Sequence, residues 1–295
     1  MSRDSEIGAF LRAQRARVRP EQVGLPSDGP HRRVPGLRRE EVARLAGVST
    51  DYYARLEQGR NIVPSAEVLT AIARALCMDE VARAHLFALV HPDPGADRRR
   101  GQAAQRVRSQ VQRLLDGWSD QPAFLIGRRT DVLATNALGR ALLTDFDSLP
   151  MRERNYTRWI FLDPAARELY VDWPGVASEM VAVLRVDAGR YPDDPRTAEL
   201  VGELTMKSEE FRRWWGDHRV TAHTHGTKRF DHPVVGSLEL GYEGLVIPGD
   251  ADQTVYVYSA EPGTPSADAL HLLAGWTAAH GPAAKDRTAG AQRTT

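Results

Sequence analysis

Through the first ninety residues apolar positions recur at a helical spacing, and charged positions fill the gaps between them. Residues 7–18 place Ile7, Phe10, Leu11 and Val18 on one side and Arg12, Arg15, Arg17 and Arg19 mostly on the other, which predicts a core helix with a basic outer face. Residues 20–36 are rich in Pro, Gly, Ser and Arg and read as a loop. In residues 38–45, Val42, Ala43 and Leu45 are apolar among charges, the mark of a short amphipathic helix. Gly47 ends it in a left-handed conformation, and Val48 is placed to plug the space behind. A second short helix follows at once, with Ser49 or Thr50 as N-cap, Tyr53 and Leu56 on one face, and Gly59 at its close. Two short helices joined by a glycine-containing turn have the geometry of a helix-turn-helix; an ordinary helical hairpin in a larger core is the plainer alternative. Pro64 and Ser65 then open a helix with Val68, Leu69, Ile72, Ala73 and Leu76 on its face, and Asp79 opens a fifth that runs to His91–Pro92. The buried set of the central motif is expected to be Val42, Ala43, Leu45, Val48, Tyr53 and Leu56.

Beyond residue 105 the pattern is mixed. A helical period covers residues 107–115, and two short strands, 123–126 and 131–134, flank Gly127-Arg128-Arg129-Thr130. Helical spacing returns at 137–143, 155–161, 164–170, 176–186, 196–205 and 208–215, with Val176, Met180, Val183 and Leu184 on one buried face. Residues 219–227, 234–247 and 254–259 are rich in Val, Thr, Tyr and Leu and are separated by Gly-Thr, Val-Gly and Pro-Gly-Asp, which predicts antiparallel strands. A helix over 265–276 closes the domain. Mixed helices with a late meander describe an α+β domain with one sheet.

Composition sets limits on this picture. At 295 residues the chain has room for two domains, divided here as a helical domain over 1–91, a linker over 92–105, an α+β domain over 106–278 and a disordered tail over 279–295. The formal net charge is zero, so contact with nucleic acid must come from a local patch. Residues 1–60 supply one, with twelve arginines against eight acids, and His31, Arg32 and Arg33 in the loop serve either as further phosphate contacts or as solvated charges. A single cysteine, Cys77, rules out an intrachain disulfide and fits a reducing compartment. With no apolar run of membrane-span length and no signal-peptide core, the expectation is a cytoplasmic, nucleoid-associated protein.

The identities at the motif positions go further. Leu-x-x-x-x-Val-Ala-x-x-Ala-Gly-Val-Ser, followed by an aromatic-rich turn and Leu-Glu-x-Gly-Arg, resembles the lambda-repressor-like, or XRE, family of transcriptional regulators. The run RNYTRWIFLDPAARELYVDW, then FRRWW, GTKRFDHPVVG and VYVYSAEPGTPSADAL, resembles the ligand-binding domain of its MmyB-like subgroup, and together the motifs span roughly residues 6–275. The resemblance implies a five-helix all-α DNA-binding domain followed by an α+β PAS-like domain with an antiparallel sheet. It also implies a small apolar ligand, with a fatty-acid-like molecule as the best-known precedent, and a homodimer on an operator in double-stranded DNA.

By position in the motif, Thr50, Asp51, Tyr52 and Arg55 face base edges in the major groove, while Arg38, Arg39, Arg60 and Asn61 at helix ends suit phosphates. Glu57, an acid where DNA would repel it, is assigned to an internal pair with a nearby arginine. In the second domain the apolar candidates for a ligand are Phe124, Trp159, Phe161, Trp173, Met180, Phe211, Trp214, Trp215 and Tyr242, with Asn155, Arg158, His218 or Lys228 to hold an anionic head. Any domain of this size buries aromatics, so part of this set is simply core. His218, His223, His225 and His232 fall within fifteen residues, but without a metal-ligand spacing they read as strand-surface or turn histidines, and no metal or cofactor is expected. No nucleophile elbow, Walker loop or dinucleotide fingerprint is present, so the expectation is a regulator and not an enzyme. A metal-dependent enzymatic or protein-interaction second domain is the alternative.

Overall fold

The structure is a computed structural model that describes residues 3–26, 36–60, 62–91, 105–217 and 224–280. Asn61, His31, Arg32, Arg33, His218, His223, the start of the strand expected at 219, most of the linker and the tail from 281 lie outside the described residues. The chain divides into two compact units, one of Met1–Ala103, Val181–Glu199 and Arg212–Ala222, the other of Ala104–Met180, Leu200–Phe211 and His223–Thr295.

In the first unit, helices α1 (Arg3–Arg17), α2 (Arg39–Ala46), α3 (Thr50–Glu57), α4 (Ala66–Ala75) and α5 (Glu80–Val90) form the helical domain that the apolar spacing predicts. Local signals set the boundaries. Ser49, Ser65 and Asp79 cap α3, α4 and α5 by accepting from the backbone N–H three residues on. The Glu41 carboxylate accepts from the Arg38 N–H at the start of α2. Gly47 ends α2 at φ +68°, ψ 28°, a conformation that costs a residue with a Cβ and glycine little. Phe10, Leu11, Leu37, Val42, Tyr53, Leu69, Ile72 and Leu86 are fully buried at the centre.

Two expectations need correction. Leu45 is 38% exposed. At 100° per residue the face formed by Val42, Ala43 and Ala46 points inward and turns Leu45 to its flank, so Ala46 takes the core place. The run after residue 19 is not wholly irregular, because Pro20–Val23 forms a turn of 3-10 helix, for which proline's fixed φ is pre-set.

The second unit is built on a five-stranded antiparallel sheet in the order β2-β1-β5-β4-β3, from β1 (Ala123–Ile126), β2 (Val132–Thr135), β3 (His225–His232), β4 (Gly236–Ile247) and β5 (Asp250–Ser259). This is the α+β, PAS-like arrangement that the resemblance implied. Helix α6 (Ser109–Gly117) covers one face through Val111 and Leu115, against Ala123, Leu125, Ala134, Ile247 and Val255. The segment between β2 and β3 carries α7 (Ala137–Leu142), α8 (Tyr156–Leu162), α9 (Pro164–Leu169), α10 (Trp173–Arg190), α11 (Pro195–Lys207) and α12 (Glu209–Gly216), and α13 (Pro265–His280) follows β5. On β3, Lys228, Phe230 and His232 alternate inward while Arg229 and Asp231 stay out.

The strand boundaries depart from the sequence reading. Gly226 and Thr227, expected as a turn, lie inside β3 and pair with Tyr242 and Gly241. β5 starts at Asp250, and Ile247 pairs with Asp250. The hairpin loop is therefore the two residues Pro248 and Gly249, with Gly249 at φ +87°, the positive φ that such short loops demand. β3 is an edge strand, closed at its middle by a bridge from Tyr170 to Phe230 and by the Val171 N–H donating to the Arg229 carbonyl at 3.1 Å.

Candidate functional site

In the first unit the outward positions of α3, Thr50, Asp51 and Arg55, are exposed, Tyr52 is half-buried, and Tyr53 and Leu56 point into the core. Arg60 beyond the helix is exposed and Arg38 is half-buried. The exposed side of α3 therefore carries polar residues, and its buried side anchors it.

That anchor has an ionic centre. The Glu57 side chain is fully buried. It accepts from Arg15 Nε at 2.7 Å and Nη2 at 3.0 Å, and from Arg39 Nε at 2.9 Å. Arg15 also donates to the Leu37 carbonyl at 2.7 Å, so one guanidinium ties α1, α3 and the start of α2 together. Burial alone would raise the Glu57 carboxyl, but the hydrogen bonds and charges of Arg15 and Arg39 outweigh it and hold the group below its ordinary range. Burial and the Glu57 charge push the Tyr53 hydroxyl well up, so it stays neutral. The internal pair expected for Glu57 thus involves three arginines, Arg15 and Arg39 closely and Arg12 at 3.9 Å, and Arg39, nominated for a phosphate, is half-exposed with part of its fork already engaged.

In the second unit the interior is walled with tyrosine. Phe124 packs on Tyr156, Tyr256 and Tyr258 with ring centroids 5.5–5.8 Å apart, and Tyr258 continues to Phe230 and Tyr242. Trp159 meets Phe146, Tyr156 and Tyr170, and the Tyr156 and Tyr170 hydroxyls are 2.6 Å apart. Burial raises the hydroxyls of Tyr156, Tyr170 and Tyr258 well above their ordinary value. Into this interior β3 projects Lys228, 7% exposed, with Nζ 3.5 Å from a Glu179 carboxylate oxygen and 4.8 Å from the Tyr242 ring centroid. Burial lowers the Lys228 ammonium, opposed by the charge of Glu179.

The nominated ligand residues divide into several places. Phe124, Trp159, Lys228 and Tyr242 belong to the tyrosine-walled interior. Phe161, Trp173 and Phe211 form a second group, with Phe161 edge-on to both other rings and Trp173 Nε1 donating to the Ile160 carbonyl at 2.9 Å. Met180 is buried. Arg158 is engaged by Glu153 and Glu203 at 3.2–3.3 Å. Trp214 and Trp215 are half-buried and fall in the first unit, where Arg185 stacks over Trp215 with its guanidinium carbon 4.1 Å from the ring centroid.

Asn155 has a different setting. Its Oδ1 accepts from the Arg158 N–H at 2.8 Å and so caps α8, while Nδ2 donates to the Arg129 carbonyl at 2.7 Å and to Asp131 at 2.9 Å. The residues it braces, Arg129 and Thr130, are left-handed at φ +59° and +64°.

Tyr156, Tyr170, Tyr256, Tyr258, Phe230 and Glu179 were missed. The strand residues had a signal, since Tyr256 and Tyr258 alternate in Val-Tyr-Val-Tyr and Phe230 lies two residues from Lys228 on one face. A separate cleft of about 360 Å³ is lined by α7, α9, the β3–β4 turn and α13, including Ala137, Leu142, Leu169, His232, Val234 and Trp276. None of the nominated ligand residues lines it. Its His232 is buried and fixed, with Nε2 2.9 Å from the Ala141 carbonyl and Nδ1 accepting from the Val234 N–H. Among the described residues no group of three or more His, Cys, Asp or Glu side chains is placed to hold a metal, and no helix is long and apolar enough to cross a membrane.

A capped pair of helices with an exposed polar face, joined in one chain to an α+β domain with an aromatic interior, defines a DNA-binding transcriptional regulator with a ligand-sensing domain. A family model described as MmyB-like transcription regulator ligand binding domain matches residues 107–273, and one described as helix-turn-helix domain matches residues 6–86. The chain belongs to the MmyB-like transcription regulators. No curated protein matches it.

Proposed function

We propose that this regulator binds an operator sequence-specifically as a homodimer in the cytoplasm, has no catalytic role, and responds to a small apolar ligand of the fatty-acid type. The observation that carries the sensing half is the Lys228 ammonium, buried in an interior of aromatic rings. A cation in such a place costs solvation that a bound anion offsets, and an apolar molecule with one anionic end matches both the rings and the charge. Its effect on DNA requires only that it favour one conformation of the protein over another.

For the DNA-binding half, Thr50, Asp51, Tyr52 and Arg55 are assigned to base edges, and Arg38, Arg39, Arg60 and Asn61 to phosphates. The exposure of Arg55 and Arg60 supports the assignment. Footprinting on the DNA upstream of its own gene tests it; equal affinity for random duplex at moderate salt overturns it. Once an operator is in hand, Arg55→Ala is expected to lose about 1–3 kcal/mol of discrimination between operator and random DNA. Arg60→Ala is expected to weaken both alike and to reduce the slope of log affinity against log salt by about one. Competition binding over a salt series separates the two outcomes. For the ligand, mass spectrometry of the denatured purified protein reads out a co-purified lipid.

A further inference from the structure

Helix α13 is apolar well beyond the side it buries. From Ala269 to Ala279 its sequence, ALHLLAGWTAA, contains no Asp, Glu, Lys or Arg, and His271 and Thr277 are its only polar residues. A helix of that kind is ordinarily covered all round, and this one is covered on one side. Leu270 and Leu273 are buried where the helix lies against β4 and α7, and the Ser266 hydroxyl at its start accepts from the Glu239 N–H at 2.9 Å. The other side is open. Leu272 is 68% exposed and Trp276 44%, with Gly275, Ala278 and Ala279 exposed beside them, and a Cβ at Gly275 would meet nothing within 4 Å.

Leu272, Gly275, Trp276 and Ala279 recur at spacings of three and four residues, so they form one stripe. Trp276 also edges the cleft between α7, α9 and the β3–β4 turn, where Val234 is exposed too, and the apolar surface therefore continues from the helix into the cleft. The charges beside the stripe indicate what covers it. A surface for DNA or anionic lipid is lined with Lys or Arg, and residues 265–280 contain neither. An uncharged face, by contrast, meets its own copy with no like charges opposed. The one carboxylate of the helix, Asp268, is exposed near its start, seven residues before Gly275.

We propose that two copies of this chain pair through the open side of α13, with the two helices antiparallel and crossing at Gly275. This rests on the reading of the regulator as a homodimer, and adds the face that makes it. In that arrangement Leu272 of each copy lies over the small residues Ala278 and Ala279 of the other, and Trp276 over Gly275, so large side chains fill the space left by small ones. A parallel pair would set Leu272 on Leu272 and Trp276 on Trp276. The stripe spans about 16 Å of helix, toward the small end of what a specific interface needs, so the pair is expected to separate on dilution.

Sedimentation velocity of the full chain over a concentration series reads the association. Wild type is expected to pass from monomer to dimer. Leu272→Glu and Ala279→Glu, each at an exposed position, put a charge where the pair excludes water, and each is expected to raise the dissociation constant by roughly tenfold or more with an unchanged circular dichroism spectrum. In a Cys77→Ser background, Gly275→Cys is expected to form a disulfide between copies under mild oxidation. Asp268→Cys is not, since its two copies lie about 21 Å apart along the antiparallel pair. Should a glutamate variant fail to fold, the cysteine variants carry the test. A dimer unchanged by both glutamates, or a disulfide at 268 and none at 275, overturns this face and leaves the homodimer reading standing. Association seen only once residues 281–295 are removed gives the face to that segment and overturns the pairing. A chain monomeric throughout, with and without those residues, overturns the homodimer reading, and the interface with it.

Discussion

Replacing Glu57 by glutamine is expected to destabilise the helix-turn-helix unit by about 3–5 kcal/mol, the usual cost of removing one partner from a buried ion pair. The substitution keeps shape and removes charge. Arg15, whose side chain is 13% exposed, would then keep a buried guanidinium facing the Leu37 carbonyl and a neutral amide in place of a carboxylate. Arg39, at 43% exposure, can turn to water and loses less. Hydrogen exchange is the suitable measurement, because it reports α1 to α3 separately from the sheet of the second unit: protection in those helices should fall while protection in β1 to β5 is retained. The effect also has a sign in pH. The folded carboxyl lies below its ordinary value of 4.5, so its contribution is complete above that value and is lost as pH falls through the folded one. The gap between wild type and Glu57→Gln should therefore narrow in acid, and a gap independent of pH across that range would contradict the assignment.

Asn155→Ala carries the second large effect, about 2–4 kcal/mol from the lost N-cap and the lost amide bonds to the buried Arg129 carbonyl and to Asp131. The amide spans three backbone features: the first turn of α8, the Arg129 carbonyl and the Asp131 side chain. Two consecutive non-glycine residues in the left-handed region, each costing about 1–3 kcal/mol, persist only where surrounding contacts over-determine them. Thr130 adds to this bracing through its hydroxyl, 2.7 Å from that of Thr157. Urea unfolding of the full chain, followed by tryptophan fluorescence, gives the loss for the second unit. Asn155→Asp discriminates the roles: it keeps the acceptor and exchanges both donors for a charge beside Asp131, so it should be no better than alanine. A variant as stable as wild type would show that the cap alone matters.

What could be read in advance from residue types was what depends on near neighbours. Ser49, Ser65 and Asp79 cap their helices because a side-chain oxygen and an N–H three residues apart need nothing else, and Gly47 ends α2 for an equally local reason. Leu45 was misread because three apolar residues in eight fix a face only to within a residue either way. The partner of Glu57 was foreseen as an arginine, but Arg15 lies forty-two residues away and Arg39 looked like a phosphate contact. In the second unit, tryptophan and phenylalanine drew attention as bulky apolar groups. The interior is instead organised around tyrosines, whose place was written in the two-residue period of β5 and in the register linking β1 to it. Glu179 had no visible signal, since a single acid at the edge of an apolar helical face is ordinary until the opposing strand supplies a lysine.

The outer strand of the sheet has one more consequence. An unprotected strand margin is a template on which other chains can add, the first step of fibril growth. Here Val171 and Tyr170 occupy the middle of that margin, and the charges of Arg229 and Asp231 point outward beside it. Conditions that loosen the short link after α9 would uncover a templating edge, so the onset of aggregation in this protein should follow the opening of that link before the melting of the sheet itself.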